Sequence, residues 1–363
     1  MIYEIHDEKH HYKYYFNTET GTYIRTGILD ENGKDTGIDP FMGSFPHLID
    51  IGIMGHCTHG RSGLCVKAGV ECYQSGLHIY EDNMGIEDFT KIIKQCRLKT
   101  NQVALGGRGD PDQHEYFEEI LKICQENQII PNYTTSGLGM NDHLAAISKK
   151  YCGAVAVSWY RSDYTLKAIE TLKKHDVTIN IHYVLGSNTI DEAIERLENN
   201  TFPKGISALV FLLHKPKGQG SQKNVLSITD PRVIKLLKLI DNQDFDFDIG
   251  FDSCTVPGLI NINKNIFPQS IEPCEGARFS CYISPKLVMT PCSFDTEEKY
   301  GVSLVDKTIE EVWMSEAFEN FRKNQRFRCP NCPHQENCKG GCPLMPEIIL
   351  CNRNEKEIKV YEN

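Results

Sequence analysis

The chain has 363 residues, 40% of them hydrophobic, enough to build two domains with proper cores. Its formal net charge of −10 argues against a nucleic-acid partner, which normally requires a basic face. No run of roughly 18 apolar residues is present to span a membrane, and the start Met1-Ile2-Tyr3-Glu4 lacks a signal peptide's basic and apolar regions, so a cytoplasmic protein is expected.

Residues 1–47 are polar and aromatic-rich, with hairpin turns expected at Glu19-Thr20-Gly21 and Glu31-Asn32-Gly33, and they read as an N-terminal cap. From residue 48, short apolar runs recur at 48–54, 102–105, 129–134, 154–158, 178–185 and 208–213. Between them lie segments with apolar residues three and four apart, such as 116–125, 166–175 and 190–198. Strands alternating with helices imply a parallel sheet, because parallel neighbours need long crossovers. Six such units predict an α/β fold, a partial (β/α)6 barrel over 48–254, with functional loops at the C-terminal ends of its strands. A helix at 231–239 and a strand at 247–251 close this region. Near residue 255 the repeat stops and prolines at 257, 268, 273, 285 and 291 punctuate the chain. One amphipathic helix is expected over 308–323, burying Ile309, Val312, Trp313, Ala317 and Phe321. Residues 255–363 therefore read as a second, small cysteine-rich domain.

Fifteen cysteines would pair as disulfides in a secreted chain, but a reducing cytosol keeps them free. Nine follow residue 250, and five of those crowd into 329–351, a clustering that points to metal rather than to core packing. The downstream group is Cys329-x2-Cys332-x5-Cys338-x3-Cys342 followed by Cys351, and the upstream group is Cys274-x6-Cys281-x10-Cys292. Eight thiolates at these short spacings suit zinc or iron–sulfur clusters. The pattern resembles the SPASM domain of radical S-adenosylmethionine enzymes that modify peptides and proteins. Pro291-Cys292-Ser293-Phe294 and Ile309-Glu310-Glu311-Val312-Trp313 share in the likeness. The resemblance implies interleaved ligands, with one [4Fe–4S] cluster on Cys274, Cys281, Cys292 and Cys342 and another on Cys329, Cys332, Cys338 and Cys351.

It also gives meaning to the loop after the first barrel strand, where Cys57, Cys65 and Cys72 stand. The family holds its catalytic [4Fe–4S] cluster on three cysteines there and leaves one iron open to S-adenosylmethionine, three clusters in all. The spacing here is x7 then x6, against the family's x3 then x2. Tyr73 follows the third cysteine, where the family has an aromatic before it, and His56 and His59 are further donors in the loop. Cofactor contacts implied by the resemblance are Tyr73, the pair Gly106 and Gly107, then Ser158, Arg161 and Leu213. Arg108-Gly109-Asp110 stands where the family carries glutamate-proline, and Thr134-Thr135-Ser136-Gly137 resembles its Thr-Thr-Asn-Gly.

Cys96, Cys124 and Cys152 sit in apolar contexts and read as core residues, as does His182. Cys254 ends a strand two residues after Asp252, which makes the pair catalytic candidates, a thiol hydrogen donor and a carboxylate proton acceptor. The activity implied is maturation of a ribosomally made peptide by crosslinking, epimerisation or side-chain oxidation. Its partners would be a peptide or protein substrate and a flavodoxin or ferredoxin reductant. One alternative is a formylglycine-forming sulfatase maturase, but Ser293 stands where those enzymes carry an aspartate. The other is a non-catalytic iron–sulfur or zinc-binding protein.

Overall fold

The computed structural model describes residues 2–352 apart from 264, 268, 269, 328 and 330; the end of the expected second domain, 353–363, lies outside the described residues. Strands β1 (Ile2–Asp7), β2 (Tyr12–Asn17) and β3 (Tyr23–Arg25) form a small antiparallel sheet. The β2–β3 turn falls where expected, with Gly21 at a φ of 72° that favours glycine. The second expected turn closes through a bridge from Leu29 to Asp35. Tyr12 and Tyr14 alternate onto one face of β2 and pack on Phe279. His47 lies between the Tyr12 and Tyr23 hydroxyls at 3.0 and 2.8 Å, and burial pushes it down to about 3, so it stays neutral. One face of the cap thus packs on the cysteine-rich segment.

Seven strands then run parallel in chain order: β4 (Leu48–Met54), β5 (Gln102–Gly107), β6 (Ile130–Thr135), β7 (Val155–Ser158), β8 (Ile179–Leu185), β9 (Ala208–Leu213) and β10 (Asp248–Phe251). The β4–β5 crossover carries α1 (Thr58–Arg61), α2 (Leu64–Lys67) and α3 (Ile86–Cys96). The later crossovers carry α4 (Phe117–Glu126), α5 (Asp142–Tyr151), α6 (Asp163–Lys174), α7 (Ile190–Glu198) and α8 (Pro231–Asn242). Their starts are written locally: Asn141, Ser162 and Asp230 each accept a first-turn N–H, and Pro231 follows the last. Along β8 and β9 the odd-numbered side chains are buried in the core shared with the helices. The even-numbered ones face the lumen.

The barrel is open, because β4 takes β11 (Ser280–Ile283) as its second neighbour instead of β10. Strands β12 (Val288–Thr290) and β13 (Val302–Ser303) extend that edge, so the cysteine-rich segment continues the barrel's own ten-stranded sheet. Between barrel and hairpin runs α9 (Val256–Ile262), and α10 (Ile309–Trp313), α11 (Glu316–Phe327) and α12 (Gln335–Cys338) complete the fold. The single helix expected over 308–323 is in fact two, α10 and α11. Arg322 Nη2 takes the Trp313 carbonyl at 2.7 Å, and Phe318, not Ala317, is the fully buried residue after the break.

Candidate active site and cysteine groups

The C-terminal ends of β4 to β9 open onto a cavity of about 420 Å³. Cys57, Cys65 and Cys72 all line it, as do Tyr73, Gly106, Gly107, Ser158 and Arg161. The long cysteine loop is held by features outside the family pattern. The Cys57 sulfur accepts the Gly60 N–H at 3.0 Å and so caps α1. A Cβ on Gly109 would stand 2.4 Å from the His56 carbonyl, so glycine is required there, and one on Gly76 would crowd that of Cys57 at 3.0 Å. Arg108 clamps the loop to β5, donating to the Gln74 and Gly55 carbonyls at 3.0 Å and pairing with Glu81 at 2.9 Å. From the far side the 214–219 loop closes down, with the Gln219 N–H on the Cys72 carbonyl at 3.0 Å. The inserted residues are therefore fixed structure, and the departure in spacing still brings three thiols to one cavity.

Gly106 presents open space, with nothing within 4 Å of a Cβ placed on it, so its backbone forms bare cavity wall. Arg161 reaches the cavity but its guanidinium is already paired with Glu192 and lies 3.4 Å from the Tyr183 hydroxyl. His59 lines the cavity, stacked on Tyr160 and 2.7 Å from the Tyr164 hydroxyl, whereas His56 turns away onto Tyr80. Half-buried Asp110 and buried Asp112 tie β5 to β6 through Ser136 and Thr135. Burial and Asp110 together push Asp112 up to about 7.

Three readings of the sequence need correction. Leu213 points into the core, and its neighbours Leu212 and His214 line the cavity instead. His182 is a lumen residue, kept neutral by burial that pushes it down to about 4. Neither Asp252 nor Cys254 lines the cavity. Asp252 accepts from Lys215 Nζ at 2.5 Å, the Leu213 N–H at 3.1 Å and Thr255 Oγ1 at 3.0 Å, which leaves it no role as a free base. A tight turn over Ser253–Thr255 swings Cys254 away from the barrel mouth. A residue that the sequence reading missed is Asp50, the one carboxylate inside the apolar run of β4. It faces the cavity, and burial pushes it up to about 7.

The C-terminal cysteines form two groups. Cys329, Cys332, Cys338 and Cys351 line a cavity of about 220 Å³, walled by α9 residues Ile260 and Asn261. Four thiols around one small cavity are a donor set suited to an iron–sulfur cluster. In the second group Cys281 stands apart from Cys274, Cys292 and Cys342. It sits in β11, 2% exposed, in the apolar core beside Cys96. Cys96 and Cys124 are buried, as expected.

An open parallel barrel with three thiols at its mouth is continued by a cysteine-rich hairpin segment. Residues 274–339 match the SPASM family, an iron–sulfur cluster-binding domain. The fold is similar to that of SuiB from Streptococcus suis, solved bound to S-adenosylmethionine, with a TM-score of 0.65 and 16% identity over 86% of this chain and 77% of that one. SuiB bound to its precursor peptide SuiA gives the same TM-score and identity, over 86% of this chain and 76% of that one. Native anSMEcpe with bound AdoMet and Cp18Cys peptide matches at a TM-score of 0.59 and 17% identity, over 87% of this chain and 92% of that one. Among curated proteins none matches this sequence significantly. No helix among the described residues is long and apolar enough to cross a membrane.

Proposed function

We propose that the chain is a radical S-adenosylmethionine enzyme that modifies a ribosomally made peptide. The observation that carries this reading is the meeting of Cys57, Cys65 and Cys72 at one cavity, beside the bare backbone of Gly106. Those three thiolates would hold a [4Fe–4S] cluster, which together with S-adenosylmethionine would supply radical chemistry for abstracting a substrate hydrogen. The chain's own part is placement and exclusion of water. Arg108 and the glycines around Cys57 fix the loop, and the Gly106-Gly107 edge admits the cofactor's polar end. Tyr160, Trp159 and Leu212 give the cavity apolar wall. Ser293 lines the cavity where a formylglycine-forming relative carries its aspartate, which favours another side-chain or α-carbon modification. Two further [4Fe–4S] clusters belong to the C-terminal cysteines, and a flavodoxin or ferredoxin is the reductant.

The test is anaerobic reconstitution followed by reduction with S-adenosylmethionine present. Deoxyadenosine should form, and short peptides encoded beside the gene should change mass. A protein that binds only zinc and leaves S-adenosylmethionine intact would return the chain to the non-catalytic class.

A further inference from the structure

Cys281 resembles a cluster ligand by spacing but not by position. It pairs in register with Ile49 of β4, and it shares its strand face with Ile283, a core residue. The opposite face of β11 carries Tyr282, which lines the barrel cavity. Bringing the Cys281 sulfur to Cys274 and Cys292 would require β11 to slip by one residue against β4, which would turn Ile283 out of the core as well.

The place left by Cys281 is taken from the barrel side. The Cys254 thiol is hydrogen-bonded to that of Cys342, and both Cys274 and Cys292 lie within its electrostatic reach. Four separate contacts hold this meeting in place. Lys215 Nζ pairs with Asp252 at 2.5 Å and sits 4.5 Å over the Phe294 ring, which ties the Cys254 turn to the Cys292 turn. A Cβ on Gly276 would stand 2.8 Å from the Pro291 carbonyl and 3.6 Å from the Cys274 sulfur, so those two segments abut. A Cβ on Gly341 would lie 3.2 Å from Pro257 Cγ, which seats Cys342 against the start of α9 just after Cys254. Gln325 Nε2 holds the Cys274 carbonyl at 3.2 Å.

We infer that Cys254, not Cys281, is the fourth thiolate of the upstream C-terminal cluster, alongside Cys274, Cys292 and Cys342. This rests on the reading of the C-terminal cysteines as cluster ligands. Its consequence is that every iron of this cluster is closed by a cysteine from the chain, so the cluster has no site for substrate and can serve only to carry electrons.

The experiment uses full-length protein in which Cys57, Cys65 and Cys72 are replaced by alanine, so that only C-terminal iron is read. That parent should hold about eight irons. Adding Cys254→Ala should lower the count by one to four irons and give the EPR signature of a three-iron cluster after oxidation. Adding Cys281→Ala should leave iron and spectrum unchanged. Loss of iron or a new spectrum from Cys281→Ala, with none from Cys254→Ala, overturns the assignment. If Cys254→Ala does not yield soluble protein, Cys254→Ser keeps the size and an oxygen donor. It should then shift the EPR spectrum and midpoint potential of one cluster, and an unshifted spectrum overturns the inference equally. A parent that holds zinc and no iron would fail the cluster reading itself, a result distinct from the wrong ligand.

Discussion

Asp50 offers the sharpest test of how the lumen is built. Its carboxyl sits in β4 between Ile49 and Ile51, beside Tyr282 in register, with burial the sole cause raising it from the ordinary carboxylate value to about 7. A group held above its unfolded value binds more protons in the folded chain, so its contribution to stability is greatest in acid and is lost as pH rises from about 4 to about 7. Integrating that difference from pH 5 to pH 8 gives about 2–3 kcal/mol, and water in the cavity trims it to about 2 kcal/mol. Asp50→Asn removes the charge and keeps the shape. Its stability relative to the parent should therefore improve by about 2 kcal/mol more at pH 8 than at pH 5. The assay is urea unfolding of both anaerobic proteins at the two pH values. Comparing differences cancels every group the substitution leaves alone. An equal gain or loss at both pH values would refute the reasoning and place Asp50 in contact with solvent. A carboxylate kept in an apolar lumen at this cost is a functional candidate, so product yield should fall in the same variant.

Other outcomes follow from the site. Replacing Cys57, Cys65 and Cys72 with alanine should abolish deoxyadenosine while removing about four of about twelve irons, measured by iron analysis and chromatography. Four irons in the parent, with stoichiometric zinc, would sink the two auxiliary clusters. Gly106→Ala meets nothing within 4 Å, so unfolding should not change. Its methyl enters the cofactor's space, however, and overpacking of at least about 1.4 kcal/mol should weaken S-adenosylmethionine binding about tenfold in equilibrium dialysis.

The parts of the site that are legible in the sequence are those whose partners are close in sequence. Cys329, Cys332 and Cys338 lie within ten residues, and they do share a cavity. The barrel was readable because each strand's apolar run is bounded by a helix with its own cap, as at Asn141 and Ser162. Arg108 looked like a loss relative to the family pattern, and the structure explains it as the clamp that a longer cysteine loop needs. Asp50 was hidden because one carboxylate in an apolar run carries no periodic signal. The broken helix at 314–315 was hidden too, because Arg322 reaches back to the Trp313 carbonyl through a contact that no local pattern encodes.

The errors at Leu213 and Cys281 have a common cause. A motif says which residue types meet, but in a strand the period of two decides which of them face the site. Leu213 belongs to the core face of β9 and Cys281 to the core face of β11, one residue from positions that line the cavity. Cys254 arrives by the opposite route, carried in because β10 pairs with β9 and the next turn packs on the hairpin. The same continuous sheet joins the two halves. β11 is hydrogen-bonded along β4, whose end leads into the Cys57 loop, and the Tyr73 ring lies 4.2 Å from that of Phe294. Lys215 covers the other side of Phe294. The Cys57 loop and the Cys292 turn therefore meet at one aromatic ring and one strand pair.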